Sequence, residues 1–64
     1  MTNLRERRTK KGLSQSELAK LANVNYRTLQ DYDQGAKDIN RTAAITLFRI
    51  AKALDCKIED LLEI

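Results

Sequence analysis

The chain has 64 residues, 33% of them charged, with 12 lysines and arginines against 9 acids and a net charge of +3. It holds no histidine, no proline and one cysteine, which excludes metal clusters, disulfide frameworks and histidine-based catalysis. A chain this short lies near the lower size at which a core stabilises itself, so one domain of closely packed helices, spanning 1–64, is expected.

The first helix is expected to start near Thr2 or Asn3, where Asn3 and Glu6 stand three apart as in an imperfect capping box, and to end at Gly12 as the C′ residue. Leu4 is its one aliphatic side chain, and Lys10 and Lys11 suit the negative end of the helix dipole. Up to Lys11, the bases Arg5, Arg7, Arg8, Lys10 and Lys11 face Glu6 alone, whereas from Ala53 onward Asp55, Glu59, Asp60 and Glu63 face only Lys57. The basic end reads either as a footprint for phosphate or as ordinary solvated helix surface. No apolar run of signal-peptide or membrane-spanning length follows it, and a lone thiol suits a reducing compartment, so a cytoplasmic location is expected.

Residues 13–35, LSQSELAKLANVNYRTLQDYDQG, organise the rest. Ser14 and Glu17 form an S-x-x-E capping box that starts a helix at Gln15. Leu18, Leu21 and Ala22 fall on one apolar face at i, i+3 and i+4, while Glu17 and Lys20 point away. Asn23 stops this helix, because asparagine tolerates the left-handed conformation best among non-glycine residues. Asn25 then caps a second helix over 25–34. There Leu29 and Tyr32 turn inward with Asn25 and Asp33, leaving Arg27, Gln30, Asp31 and Gln34 on a wholly polar outer face. Two short helices joined by a sharp turn make a helix-turn-helix.

LSQSELAK followed by a second helix that closes at Gly35 resembles the phage repressor-like helix-turn-helix family of the Cro and cI (XRE) type, over nearly the whole chain. The resemblance implies that the second helix of the pair lies in the DNA major groove, with Tyr26, Arg27, Thr28 and Asp31 reading bases and Gln15 and Asn25 holding phosphates. The chemistry agrees, since helix N-termini offer free N–H groups to phosphate and arginine forks two bonds onto guanine. Tyr26 either contacts DNA or packs on the motif itself. Asp31 either accepts from cytosine N4 or merely pairs with Arg27, four residues before it. Arg8 matches a family arginine that pairs with the acid closing the recognition helix, here Asp33; Arg7 stands where the family usually has an aliphatic residue. The loop beyond Gly35 touches the DNA backbone in related domains, which makes Lys37 and Arg41 candidate phosphate ligands.

Asn40 is the expected cap of a fourth helix running through Leu54, with Ala43, Leu47, Ile50, Ala51 and Leu54 as its inward stripe and Ile39 beneath. Ile45 and Phe48 lie off that stripe; burial against a fifth helix is the expectation, and a contact with a second copy the alternative. The fifth helix is placed at 58–62 after the break at Asp55, Cys56 and Lys57, where Asp55 replaces a common helix-ending glycine and Lys57 a serine or threonine cap. Cys56, with no histidine to activate it, reads as a small hydrophobe rather than a nucleophile. The expected fold is therefore all-α, a compact five-helix bundle of the lambda-repressor-like DNA-binding type.

No enzyme, cofactor, metal, membrane contact or small-molecule ligand is expected. The resemblance implies sequence-specific binding of double-stranded DNA by a small transcriptional regulator, repression being the commoner form. Either the last helix with Ile45 and Phe48 pairs two copies on adjacent half-sites, or the protein binds weakly alone. The competing reading is a protein-interaction or antitoxin-like module that keeps the fold without specific DNA binding, for which Asp31, Asp33 and Asp38 argue. A sequence-blind architectural binder would favour a larger basic excess.

Overall fold

Start and stop signals in the sequence divide the chain into α1 (Asn3–Lys10), α2 (Gln15–Ala22), α3 (Tyr26–Gln34) and α4 (Ala44–Ala53), with 3₁₀ turns at Ile39–Arg41 and Ile58–Asp60 and no strand. The computed structural model describes residues 1–64. Thr2 rather than Asn3 caps α1, its hydroxyl accepting from the Arg5 N–H, and Gly12 takes the left-handed conformation that turns the chain toward α2. Ser14 and Glu17 form both bonds of the capping box. Asn23 ends α2 at φ 55°, as a left-handed closing residue must. Gly35 ends α3 at φ 80°, and a Cβ there would also crowd the Thr2 methyl at 3.3 Å.

Leu4, Leu18, Leu29, Ile50 and Leu61 are fully buried and, with Ala19, Ala22, Ile39, Leu47, Ala51 and Leu54, make one core. Each fully buried leucine contributes about 1.5–3 kcal/mol through loss of apolar surface to water. α2 packs on both α3 and α4, so the helix pair rests on the most apolar helix of the chain. α1 lies against α3, and the buried Leu4 is its share of the core.

The second half departs from expectation at several points. Asn40 does not cap a helix: Asp38 takes the Asn40 N–H at 3.0 Å, the chain closes a 3₁₀ turn, and α4 begins four residues later behind Ala43, which supplies no side-chain cap. The Asn40 amide is engaged elsewhere, donating to the Glu63 carbonyl at 3.0 Å and accepting from the Glu63 N–H at 2.8 Å. Ala43 is exposed, because the extended Thr42 and Ala43 break the stripe before it reaches them. The expected fifth helix is a single 3₁₀ turn, so the bundle has four α-helices. Asp60 accepts from the Lys57 N–H at 3.0 Å, but lysine has no acceptor to return the bond, and the turn closes at Leu61. So short a turn leaves Ile45 55% and Phe48 50% exposed instead of covering them. Asp55 takes φ 54°, filling the glycine position at some cost in strain.

Three ties hold the two ends of the chain to the bundle. Glu63 accepts from the Asn3 N–H, the Asn3 amide donates to the Leu62 carbonyl at 2.8 Å, and Arg7 reaches Asp60 at 3.6 Å. Arg7, which stands where the family usually has an aliphatic residue, thus fastens the second 3₁₀ turn to α1. No helix is long and apolar enough to cross a membrane.

Candidate nucleic-acid interface

Two consecutive helix starts define one face of the molecule. At α2 the Ser14 N–H and hydroxyl hold the Glu17 carboxyl below its ordinary range, so the cap carries a full negative charge at neutral pH. At α3 the Asn25 carboxamide accepts from the N–H groups of Arg27 at 2.9 Å and Thr28 at 3.3 Å. Asn25 is exposed rather than turned inward, since its oxygen must reach over the first turn of the helix.

Behind this face lies the one buried charged side chain. Asp33 is fully enclosed and Arg8 nearly so, the two joined by Nε to Oδ1 at 2.8 Å and Nη2 to Oδ2 at 3.3 Å. The third guanidinium nitrogen, Nη1, donates to the Leu13 carbonyl at 2.7 Å. Gln15 donates to Asp33 Oδ2 at 2.8 Å, and the Thr2 hydroxyl donates to the Asp33 carbonyl at 2.8 Å. No buried side-chain polar atom lacks a partner. α1, the entry to α2 and the end of α3 are therefore tied together at one carboxylate, which fixes how α3 is presented.

The outward side of α3 is of a different kind. Arg27 is 81% exposed, whereas Gln30, expected on the outer face, is half-buried. Arg27 Nε lies 3.5 Å from Asp31 Oδ1, and Lys37 Nζ lies 3.7 Å from Asp31 Oδ2. The Asp31 carbonyl accepts from the N–H groups of Ala36 at 2.8 Å and Lys37 at 3.2 Å, which folds the loop back onto the helix end. Arg41 lies farther along, exposed and 3.8 Å from Asp38. Thr28 is half-buried and Tyr26 exposed, its hydroxyl 3.5 Å from the Gln15 oxygen, at the outer limit of a hydrogen bond.

The structure thus brings Tyr26, Arg27, Asp31 and Lys37 onto α3 or its end, with Gln15 at the neighbouring helix start and Arg41 on the loop. Sequence spacing gives the Arg27 to Asp31 pair, but not the Lys37 to Asp31 contact, for which the only signal is a lysine two residues past the helix-ending glycine. Nor does it give the Gln15 to Asp33 bond, which joins residues 18 apart. Away from this face, burial pushes the Cys56 thiol up, with the Arg7 charge opposing, and no group of acidic or cysteine side chains is placed to hold a metal.

Comparison with known proteins bears on this face. A family model described as helix-turn-helix matches residues 4–61. No curated protein matches the chain. Among solved structures, the restriction-modification controller protein C.AhdI from Aeromonas hydrophila is similar, with a TM-score of 0.81 and 32% identity over 94% of this chain and 86% of that one. The capped helix pair, its polar outer face and these matches agree: the chain belongs to the phage repressor-like, XRE-type helix-turn-helix family of DNA-binding transcriptional regulators.

Proposed function

We propose that α3 enters the major groove of double-stranded DNA, that Arg27 forks onto a guanine there, and that the chain represses transcription from the bound site. The observation that carries this reading is the contrast across α3. Its inner acid is locked to Arg8 at 2.8 Å, while its outer face projects an arginine that is mostly in water and only loosely paired, 3.5 Å from Asp31. Thr28 offers its methyl to thymine at the next position, and Tyr26 stands at the edge of the same face. Gln15, Asn25, Lys37 and Arg41 would meet phosphates on either side, together with the N-termini of α2 and α3.

A single α3 contacts few base pairs, so two copies on half-sites about one DNA turn apart supply the specificity a regulator needs. The exposed Ile45 and Phe48 on α4, away from α3, support pairing of two copies through that helix. The likeness to a restriction-modification controller protein supports control of a restriction-modification system as the regulated target. A DNA partner supports a cytoplasmic site of action.

The protein-interaction reading loses its main support. Asp33 is buried, Asp31 faces two cations and Asp38 lies beside Arg41, so the three acids do not form an open acidic surface. Selection of bound duplexes from a random pool, with wild type and Arg27→Ala side by side at moderate salt, tests the proposal. Wild type is expected to enrich an inverted repeat, and the variant to lose preference for one guanine per half-site by about 1–3 kcal/mol. No enrichment by wild type, at that salt or lower, would sink recognition by α3.

A further inference from the structure

Asp31 stands at a position from which a base could be read, yet its geometry suits another task. The carboxylate is only 18% exposed, and each of its oxygens faces a different cation, Arg27 from within the helix and Lys37 from the loop beyond it. Arg27 approaches with its Nε at 3.5 Å while its side chain is 81% exposed, so the guanidinium reaches solvent beside the carboxylate that flanks it. Lys37 is held by both ends: its N–H donates to the Asp31 carbonyl at 3.2 Å and its ammonium turns back to the Asp31 carboxylate. The other polar residues along this side of α3, Thr28, Gln30 and Gln34, are neutral, and the charged pair Arg41 and Asp38 lies farther along the loop.

We propose that Asp31 is a specificity-determining positioning residue rather than a base reader: wedged between Arg27 and Lys37, it aims the Arg27 fork at the base edges and withholds one positive charge from indiscriminate phosphate binding. This rests on the major-groove reading of α3. A cation engaged with Asp31 displaces no counterion from random DNA unless that contact breaks, so the carboxylate weakens non-specific binding more than cognate binding. In the cognate complex Lys37 leaves Asp31 for a phosphate while Arg27 keeps its Asp31 contact and binds guanine, and Asp31 contributes to discrimination without touching a base.

Asp31→Asn, which keeps the size of the side chain, and Asp31→Glu, which keeps the charge, test this beside wild type. Each is measured for the preferred motif and for the dependence of Kd on salt, on the enriched and on a scrambled duplex. Asp31→Asn is expected to bind scrambled DNA more tightly, with a salt slope steeper by about 1, and to lose about fivefold or more of its guanine preference. Asp31→Glu is expected to return the slope to the wild-type value. A simple structural defect would weaken binding to both duplexes and leave the slope unchanged. An Asp31→Asn protein with wild-type slope and guanine preference overturns the proposal, as does relaxation confined to a cytosine position, which would make Asp31 a direct reader. If wild type enriches no motif at all, the major-groove reading itself fails and this proposal with it; failure of the Asp31 variants alone leaves that reading standing.

Discussion

Asp31 and Asp33 sit two residues apart on one helix, each beside an arginine, and differ in almost everything else. Asp33 is enclosed, meets Arg8 at 2.8 Å and is further bonded by Gln15. Asp31 lies at the rim of the outer face, 3.5 Å from an arginine that is mostly in water. An enclosed carboxylate makes its partners indispensable, because losing one strands a charge, whereas a rim carboxylate is screened and contributes little to folding. The inner pair sets where α3 points; the outer pair sets what it presents.

The largest effect expected from this contrast is that of Arg8→Ala, which leaves Asp33 buried without its cation and should cost about 3–5 kcal/mol. For a domain of this size that is a large share of the total stability, and urea denaturation would read it. A loss under about 1 kcal/mol would show instead that water reaches Asp33 and that the two pairs are alike. Next, Asn25→Ala removes the cap from which the outer face begins and should cost about 1 kcal/mol, seen as a lower Tm. Asp31→Asn should change stability by no more than about 0.5 kcal/mol in the same denaturation experiment, so that any effect on DNA is not one of folding. The smallest effect belongs to Glu17→Gln. The folded-state pKa of Glu17 is lowered, so its contribution is present above the unfolded carboxylate value and disappears as pH falls through the folded value. Thermal melts of wild type and Glu17→Gln should therefore differ slightly at neutral pH and converge in acid.

What the sequence made legible is local. The Ser14 and Glu17 capping box, the left-handed Asn23, the Asn25 cap and the closing Gly35 are each decided within one turn of helix, and all are present. The Arg8 to Asp33 pair spans 25 residues and was reached only through the resemblance, not through spacing. What stayed hidden depends on partners distant in the chain. Asn40 looks like a helix cap until Glu63, 23 residues on, occupies its amide. Arg7 looks like a gap in the core face until Asp60 is brought beside it. Periodicity carried the stripe of α4 from Leu47 to Leu54 but could not foresee that an Asp38 turn would delay the helix and leave Ala43 outside. On the candidate site, the order of residues along α3 was readable, while the double engagement of Asp31 required the loop to be folded back.

The Asn40 clasp also has a consequence for the order of events in a growing chain. The loop that carries Lys37 and Arg41 is fastened at Asn40 to the backbone of Glu63, which in turn is held to Asn3. During synthesis α2 and α3 have all their capping signals once residue 35 has been added, although helices this short need the rest of the core to hold their shape. The loop cannot take its final position until residue 63 has emerged, more than twenty residues later. A chain cut short before residue 63 would thus keep the capping residues of α3 and lose the clasp that places the loop beside it.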